Sequence, residues 1–262
     1  MRTVYRQLLD TFSHDLILYC DLADKAMTMA STALTKAELQ PAEDVLGLSD
    51  HAEELRQRCE DRAVDLLALE NPMARDLRQV VSSIYIVQDF DRMFKLSCHI
   101  AKLARRRHPN RAVPADVQGF FDEMARLCAH MLSEVRDILV VPDEDKAITM
   151  DAEDDAVDDI NAHLNSLVTN RTWEHGTRSA VEVALLSRYY ERYADHCVNV
   201  ATQVVYLVTG LRSEEYLERR KEEQAEAEVA AKFQELERRF RGENRKRAVT
   251  WGHGSFFGLI LG

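Results

Sequence analysis

The sequence contains little glycine and proline and no long apolar run, and each absence excludes a class of protein. It has 9 glycines and 5 prolines in 262 residues, too few for a loop-rich β-sandwich, which needs turn residues about every 8 to 12 positions. No segment approaches the roughly 18 consecutive apolar residues of a transmembrane helix. Residues 1–16 carry charges where a signal peptide has an apolar core. We therefore expect a cytoplasmic protein.

Further absences concern chemistry and partners. With no CxxC pair among them, the five cysteines are expected to be buried free thiols: Cys20, Cys59, Cys98, Cys128 and Cys197. The formal net charge is -11, so the chain as a whole lacks the excess of basic residues that is typical of a nucleic-acid binder. The sequence has no GxxxxGK[ST], GxSxG or HExxH motif and no visible nucleophile–base arrangement. It therefore predicts a non-enzyme without an organic cofactor.

The long segments that remain predict an all-α protein built from an internal repeat. Residues 71–106 match residues 171–206 at a constant offset of 100, which aligns Arg78 with Arg178. A second pattern, acid-x-x-acid-acid-aliphatic, begins at Asp50 and again at Asp155. A period near 100 residues is too long for tetratricopeptide or HEAT arrays. The duplication predicts a tandem repeat of two three-helix bundles, with six long antiparallel helices.

Short breaks between the periodic segments suit the connections of antiparallel bundles. The predicted helices cover residues 4–34, 43–69, 72–107, 115–140, 145–169 and 177–211. Residues 108–114 contain two prolines and form the expected hinge. The predicted domains are a first bundle at 1–108, a second bundle at 115–211, and a charged helical tail with an apolar, glycine-containing end at 213–262.

Carboxylates interrupt the apolar face of the last helix in each half. On 100° steps, Glu191 shares a face with apolar residues, and Asp195 lies one turn further on the same side. Asp91 occupies the same kind of face in the third helix, whereas Asp89 lies near the opposite face and is expected to be solvated. A carboxylate on a buried face is costly unless it is paired or binds a cation.

Pairing with basic neighbours is the first interpretation of these acids. Arg188 or Arg192 lies within one turn of Glu191, and Lys95 lies one turn after Asp91. Ion pairs at such helical spacing are common in proteins without any ligand.

A metal site is the second interpretation. Asp155 and Asp158 on the fifth helix could join Glu191 and Asp195 around a hard or borderline cation. A ferritin-type di-iron centre is excluded because the predicted bundle helices carry no Glu-x-x-His pair. A purely structural coiled coil is a further alternative, although acids at 91, 191 and 195 would interrupt its seam.

Two segments at equivalent positions of the repeat resemble the motifs of a known family. Residues 71–78 and 89–93 resemble the P-x-A-x-D-L-R and D-L-E-R stretches of the PhoU family of bacterial phosphate-signalling regulators. Residues 190–201 resemble the second copy of that motif, which usually reads LERIADHAVNIA. The resemblance covers residues 1–211, and the charged tail lies outside it.

The resemblance implies two acid-x-x-x-acid metal motifs. They map onto Glu191 and Asp195 in the second bundle, with the Asp155–Asp158 motif, and onto Asp91 in the first. Because Lys95 replaces the second acid in the first bundle, an Asp91–Lys95 pair is expected there in place of a metal cluster. The second bundle is expected to hold iron, zinc or another divalent or trivalent cation. Further motif residues with a structural role are Asp76, Arg78, Arg92, Arg192 and Asn199.

For function, the resemblance implies a cytoplasmic adaptor without catalytic activity. Family members hold the sensor histidine kinase of the phosphate regulon in its repressing state, and they restrain the phosphate ABC transporter through its nucleotide-binding subunit. The implied protein is a homodimer that regulates phosphate uptake and the starvation response negatively, peripheral to the inner face of the membrane through its partners. The alternative is a carboxylate-bound metal enzyme or metal-storage bundle, against which the missing histidine ligands argue.

Overall fold

The structure, a computed structural model, describes residues 2–70 and 74–251, and every regular element in that part of the chain is an α-helix. The described helices are α1 (Arg2–Lys36), α2 (Leu39–Gly47), α3 (Ser49–Glu70), α4 (Ala74–Arg107), α5 (Gln118–Val140), α6 (Glu144–Thr149), α7 (Asp151–Thr169), α8 (Gly176–Thr209) and α9 (Ser213–Trp251). The helix start predicted at Pro72 and most of the apolar end lie outside the described residues. None of the described helices has an apolar stretch long enough to cross a bilayer.

Two of the six predicted helices are each divided into a short and a long helix. The second is divided at Leu48, directly after Gly47, which has low helix propensity. The fifth is divided at Met150, where the hydroxyl of Thr149 donates to the carbonyl of Lys146 at 2.8 Å. Such local side-chain bonds compete with the helical hydrogen-bond ladder. The other four predicted helices agree with the structure to within a few residues, apart from the undescribed start at Pro72.

Residues Met1–Ser213 form one compact unit, and Glu214–Gly262 form a second. At the centre of the first unit, α1 and α8 each pack against both α4 and α5. On one side α2 and α3 cover α1 and α4, and on the other α6 and α7 cover α5 and α8. This arrangement confirms the tandem helical repeat. The predicted domain boundaries at residues 108 and 115 stay a prediction, since both halves lie in the same compact unit.

Aromatic side chains of both halves are fully buried at the centre of this unit, among them Tyr19, Phe90, Phe121, Tyr190 and Tyr193. The Tyr190 hydroxyl lies 2.8 Å from the hydroxyl of Ser31, and the Tyr193 hydroxyl donates to the carbonyl of Ala23 at 3.3 Å. Both bonds join α8 to α1. The phenol groups therefore satisfy their polar ends while their rings bury apolar area between the halves.

All five cysteines are free and buried, as the sequence predicts. Burial raises the pKa of Cys59 to about 12 and also raises the pKa of Cys98. The reactive thiolate form is therefore disfavoured near neutral pH. These side chains act as small apolar residues of the core.

The charged tail is helical, as predicted, and α9 spans 39 residues. All side chains from residue 221 to residue 238 are exposed. Arg219 pairs with Glu223 at 2.8 Å one turn further along. Such pairs support an exposed helix by only a few tenths of a kcal/mol each.

Candidate functional site

Glu191 lies on the buried face of α8, as the helical pattern predicts, and its side chain is 8% exposed. Its Oε1 accepts a hydrogen bond from the guanidinium of Arg188, three residues earlier. Its Oε2 is buried and has no hydrogen-bond partner among the described residues. Pairing with a base thus accounts for one of the two oxygens and leaves the other without a donor in the described structure.

Asp195, one turn further along α8, opens onto a polar pocket between α7 and α8. The residues that line this pocket are Asp151, Asp154, Arg192, Asp195, His196, Val198 and Asn199. Three carboxylates and one guanidinium therefore face the same space. Carboxylate oxygens are the ligands that hard cations prefer in proteins.

Asp154 on α7 is the member of this group that the sequence analysis missed. Burial, and then the negative charges of Asp158 and Asp195, raise its pKa from 3.8 to about 6. Its Oδ1 is buried and lacks a hydrogen-bond partner within the described part of the chain. A signal was present: Asp154 and Asp158 are four residues apart, the same spacing as Glu191 and Asp195.

Neither of the two ligands predicted on this helix lines the pocket, and both Asp155 and Asp158 are exposed, but Asp158 is coupled to the pocket through the charge of Asp195. Burial and the charge of Asp195 raise the pKa of Asp158. Asp155 is exposed and does not line the pocket, because a step of one residue turns its side chain about 100° away from Asp154. Asp154 therefore takes the place that the sequence analysis gave to Asp155.

The acids around this pocket carry charge that a bound cation would relieve, although among the described residues they do not form a group of three ligand atoms within 4.8 Å of one another. Two buried carboxylate oxygens, on Glu191 and Asp154, have no hydrogen-bond donor among the described residues. The charge of Asp195 on α8 also raises the pKa of Asp154 and of Asp158 on α7, and a cation relieves both costs. Arg188 provides part of this positive charge, since its guanidinium also lowers the pKa of Asp158. Its side chain is 51% exposed, so it can turn towards solvent when an ion binds.

The equivalent position of the first half is neutralised by the protein's own side chains. Asp91 is buried, and its Oδ2 accepts a hydrogen bond from Nζ of Lys95 at 2.6 Å. The hydroxyl of Tyr19 donates to Oδ1 at 3.5 Å. The expected Asp91–Lys95 pair is thus present. Both oxygens of Asp91 have a protein partner, in contrast to those of Glu191.

Asp89, which was expected to be solvated, is paired across the two halves. Its Oδ1 lies 2.8 Å from Nδ1 of His196 on α8, and the two side chains are 14% and 13% exposed. The expectation was wrong because α4 packs against α8 as well as against α1. Both sides of this helix are therefore covered, and a position opposite the core face of one bundle still lies in an interface.

The remaining motif residues occupy three kinds of position. Asp76 lies in the first turn of α4, where a carboxylate stabilises the helix dipole. Arg78 is half-buried, and its guanidinium carbon lies 3.3 Å from the point that a Cβ at Gly210 would occupy. Gly210 ends α8 with φ of +75°, a conformation that favours glycine. The other three are exposed: Arg92, Arg192 and Asn199.

Comparison with protein-family models finds the PhoU domain twice in the chain, at residues 16–104 and 121–204. The two matches correspond to the two halves of the repeat. The last helix, α9, lies outside both of them.

Curated relatives and solved structures agree with this result. The chain is 44% identical over 210 residues to the phosphate-specific transport system accessory protein PhoU homolog 2 of Mycobacterium tuberculosis, which covers 80% of this chain and 99% of that protein. It is 41% identical over 210 residues to PhoU homolog 1 of Mycobacterium leprae, over 80% of this chain and 95% of that one. The crystal structure of PhoU from Pseudomonas aeruginosa shares the fold, with a TM-score of 0.72 and 24% identity over 79% of this chain and 100% of that one. These findings together show that the chain belongs to the PhoU family.

Proposed function

We propose that this protein is an accessory protein of a phosphate-specific transport system and acts as a regulatory adaptor without catalytic activity. The observation that carries this proposal is the 44% identity to a protein of that name, over 99% of its length. The relative matches nearly from end to end, so the proposal concerns the role of the whole protein and not of one shared module.

The proposed partners are the nucleotide-binding subunit of the phosphate ABC transporter and the sensor histidine kinase of the phosphate regulon. When phosphate is plentiful, the protein restrains uptake and holds the kinase in its repressing state, as a negative regulator. An acidic helical body with long exposed helix faces supports docking against partner helices. We place this homodimeric adaptor in the cytoplasm, at the inner face of the membrane through its partners.

The second half is proposed to hold a divalent or trivalent cation, with iron and zinc as candidates. Asp154, Asp158 and Asp195 would hold it, and Glu191 would contribute its unpartnered oxygen. When bound, the ion supplies positive charge that neutralises the facing carboxylates. The chain's own residues then fix α7 against α8, which stabilises one arrangement of the exposed helix faces for a partner.

Phosphatase output of the phosphate regulon in phosphate-rich medium tests the proposed regulation. We expect deletion of the gene to derepress the phosphatase and the intact gene to restore repression. Repression that persists in the deletion strain, with no second copy of the gene present, would contradict the adaptor role and favour the alternative of a metal enzyme or metal store.

The double variant D154N/D195N tests the link between metal and regulation in the same strain. We expect it to lose bound metal and to restore repression poorly. The matched control is Asp155→Asn, which removes the same charge from the exposed neighbouring position and should behave as wild type. Lost metal with normal repression would make the ion structural only, and unchanged metal content would refute the site.

A further inference from the structure

Outside the acidic pocket, a histidine and two glutamates converge between α5 and α7. His130 and Glu134 lie four residues apart on α5, and Glu153 faces them from the first turn of α7. One ligand atom from each of the three side chains lies within 4.8 Å of the others. None of the three lines the acidic pocket. Residues four apart on a helix present both ligand atoms to the same ion, as in helical zinc motifs.

The charges of this group are incompletely compensated by the protein. Glu153 Oε2 is buried and has no hydrogen-bond partner among the described residues. Oε1 of Glu153 lies 4.0 Å from Nε2 of His130, too far for a hydrogen bond. Two facing carboxylates with an orphaned oxygen are stabilised by a cation placed between them.

The protein cations near this group have other partners. Arg126 interacts with the charge of Glu153, but its guanidinium pairs with Glu123 at 2.6 Å. Nζ of Lys146 is 3.4 Å from Oε1 of Glu134, but it is closer, at 3.0 Å, to Oδ2 of Asp137. Lys146 therefore keeps an ion pair when Glu134 turns towards a metal. The imidazole of His130 is about half-exposed, which gives an ion access from solvent.

We propose that His130, Glu134 and Glu153 form a second metal site, for a borderline divalent cation such as Zn²⁺, that is separate from the acidic pocket. One imidazole nitrogen and two carboxylates are a donor set that suits Zn²⁺, whereas an all-carboxylate group suits harder ions. With three protein ligands, the remaining coordination position is open to water. The ion joins α5 to α7 and stabilises the outer helix of the second half.

Isothermal titration with Zn²⁺ tests this site in a D154N/D195N background, which removes two carboxylates of the acidic pocket. We expect one bound Zn²⁺, with affinity reduced at least about tenfold by His130→Ala and by Glu153→Gln. His51→Ala is the matched control, because His51 is an exposed helical histidine beside Glu54 that has no third ligand near it in the described part of the chain. It should leave the affinity unchanged.

A second readout identifies the ligand directly. Co²⁺ in place of Zn²⁺ should give visible absorption bands that His130→Ala abolishes and His51→Ala preserves. Circular dichroism checks that the variants fold, and His130 is exposed enough for alanine to be tolerated. Absence of Zn²⁺ binding up to millimolar concentration in the D154N/D195N background would overturn the proposal. Equal affinity in the presence and absence of the His130 imidazole would overturn it as well.

Discussion

The two halves of the repeat place carboxylates at equivalent positions but neutralise them differently. In the first half Asp91 is held by Lys95 and Tyr19, whereas in the second half Glu191 keeps one oxygen without a donor among the described residues. At the offset of 100, Asp195 stands where the first half has Lys95. A single exchange of base for acid thus distinguishes a self-neutralised bundle from the one in which we propose an ion site.

The ends of α4 and α8 show a second difference between the halves. Glu182 is buried, and it pairs with three guanidiniums: Arg106 at 3.4 Å, Arg107 at 2.7 Å and Arg178 at 3.4 Å. Its equivalent in the first half is Ser82, also buried, whose hydroxyl has no hydrogen-bond partner in the described structure. At this position the buried polar group of the second half has its partners and that of the first half does not. Buried polar groups without a hydrogen-bond partner therefore occur in both halves.

The largest expected effect on stability concerns this ion-pair group. Glu182→Ala should lower the free energy of unfolding by about 2 kcal/mol, because it removes the charge-assisted bonds of a buried carboxylate, the shortest of them to Arg107. Urea denaturation followed by circular dichroism measures the change. The matched control is Ser82→Ala, which we expect to change the free energy by less than about 0.5 kcal/mol. An equal loss of unfolding free energy in the two variants would show that the ion pairs of Glu182 contribute no more stability than the hydroxyl of Ser82.

The next effect tests the self-neutralised half. Lys95→Ala should lower the free energy of unfolding by about 1–2 kcal/mol, because it leaves buried Asp91 with only the weak bond from Tyr19. The same urea experiment measures it. Lys102→Ala, at an exposed lysine seven residues further along α4, should be nearly neutral. A Lys95 variant as stable as the Lys102 variant would show that Asp91 does not need its ammonium.

The pH dependence of ion binding sharpens the contrast between the halves. The pKa of Asp154 is raised to about 6, so we expect affinity for a divalent cation in the second half to fall as pH decreases through 6. Titrations with Mn²⁺ at about pH 7.5 and about pH 5.5, on either side of this pKa, measure the decrease. Affinity that is independent of pH over this range would exclude Asp154 as a ligand.

The smallest expected effect concerns the metal-free protein. Asp154→Asn should raise the free energy of unfolding by about 0.2–0.5 kcal/mol at pH 7, because it removes a like-charge pair with Asp158 one turn away. A carboxyl whose pKa is raised by folding destabilises the fold when ionised. The gain in unfolding free energy is therefore complete above pH 6. It decreases as the pH falls towards 3.8, the ordinary pKa of the Asp154 carboxyl. Chemical denaturation at several pH values checks it, and destabilisation at pH 7 would contradict it.

Much of the fold could be predicted because it depends on local patterns. Scarce glycine and proline and the helical period of apolar residues indicate the long helices, and the offset of 100 indicates the repeat. The Asp91–Lys95 pair was also predictable, since both residues lie on one helix one turn apart. The helical period also placed Glu191 and Asp195 on the apolar face of one helix, and the family resemblance added their interpretation as a metal motif.

The errors concern contacts between helices. A helical wheel gives the angle between side chains of one helix but not which neighbouring helix covers each side. Asp89 therefore looked solvated although α8 covers it through His196. Asp154 and Asp155 are equally acidic in sequence, and only the packing of α7 on α8 selects Asp154 for the pocket. The breaks at Leu48 and Met150 depend on local turn bonds that the apolar period does not encode.

The contrast between the halves is tested most directly by Mn²⁺ titration in a His130→Ala background, which removes the imidazole of the other proposed site. Electron paramagnetic resonance of free Mn²⁺ measures the bound fraction. We predict that adding D154N/D195N weakens binding at least about tenfold, whereas adding Asp91→Asn leaves the affinity unchanged. Loss of binding on Asp91→Asn, or full binding in D154N/D195N, would contradict the assignment of the ion to the second half.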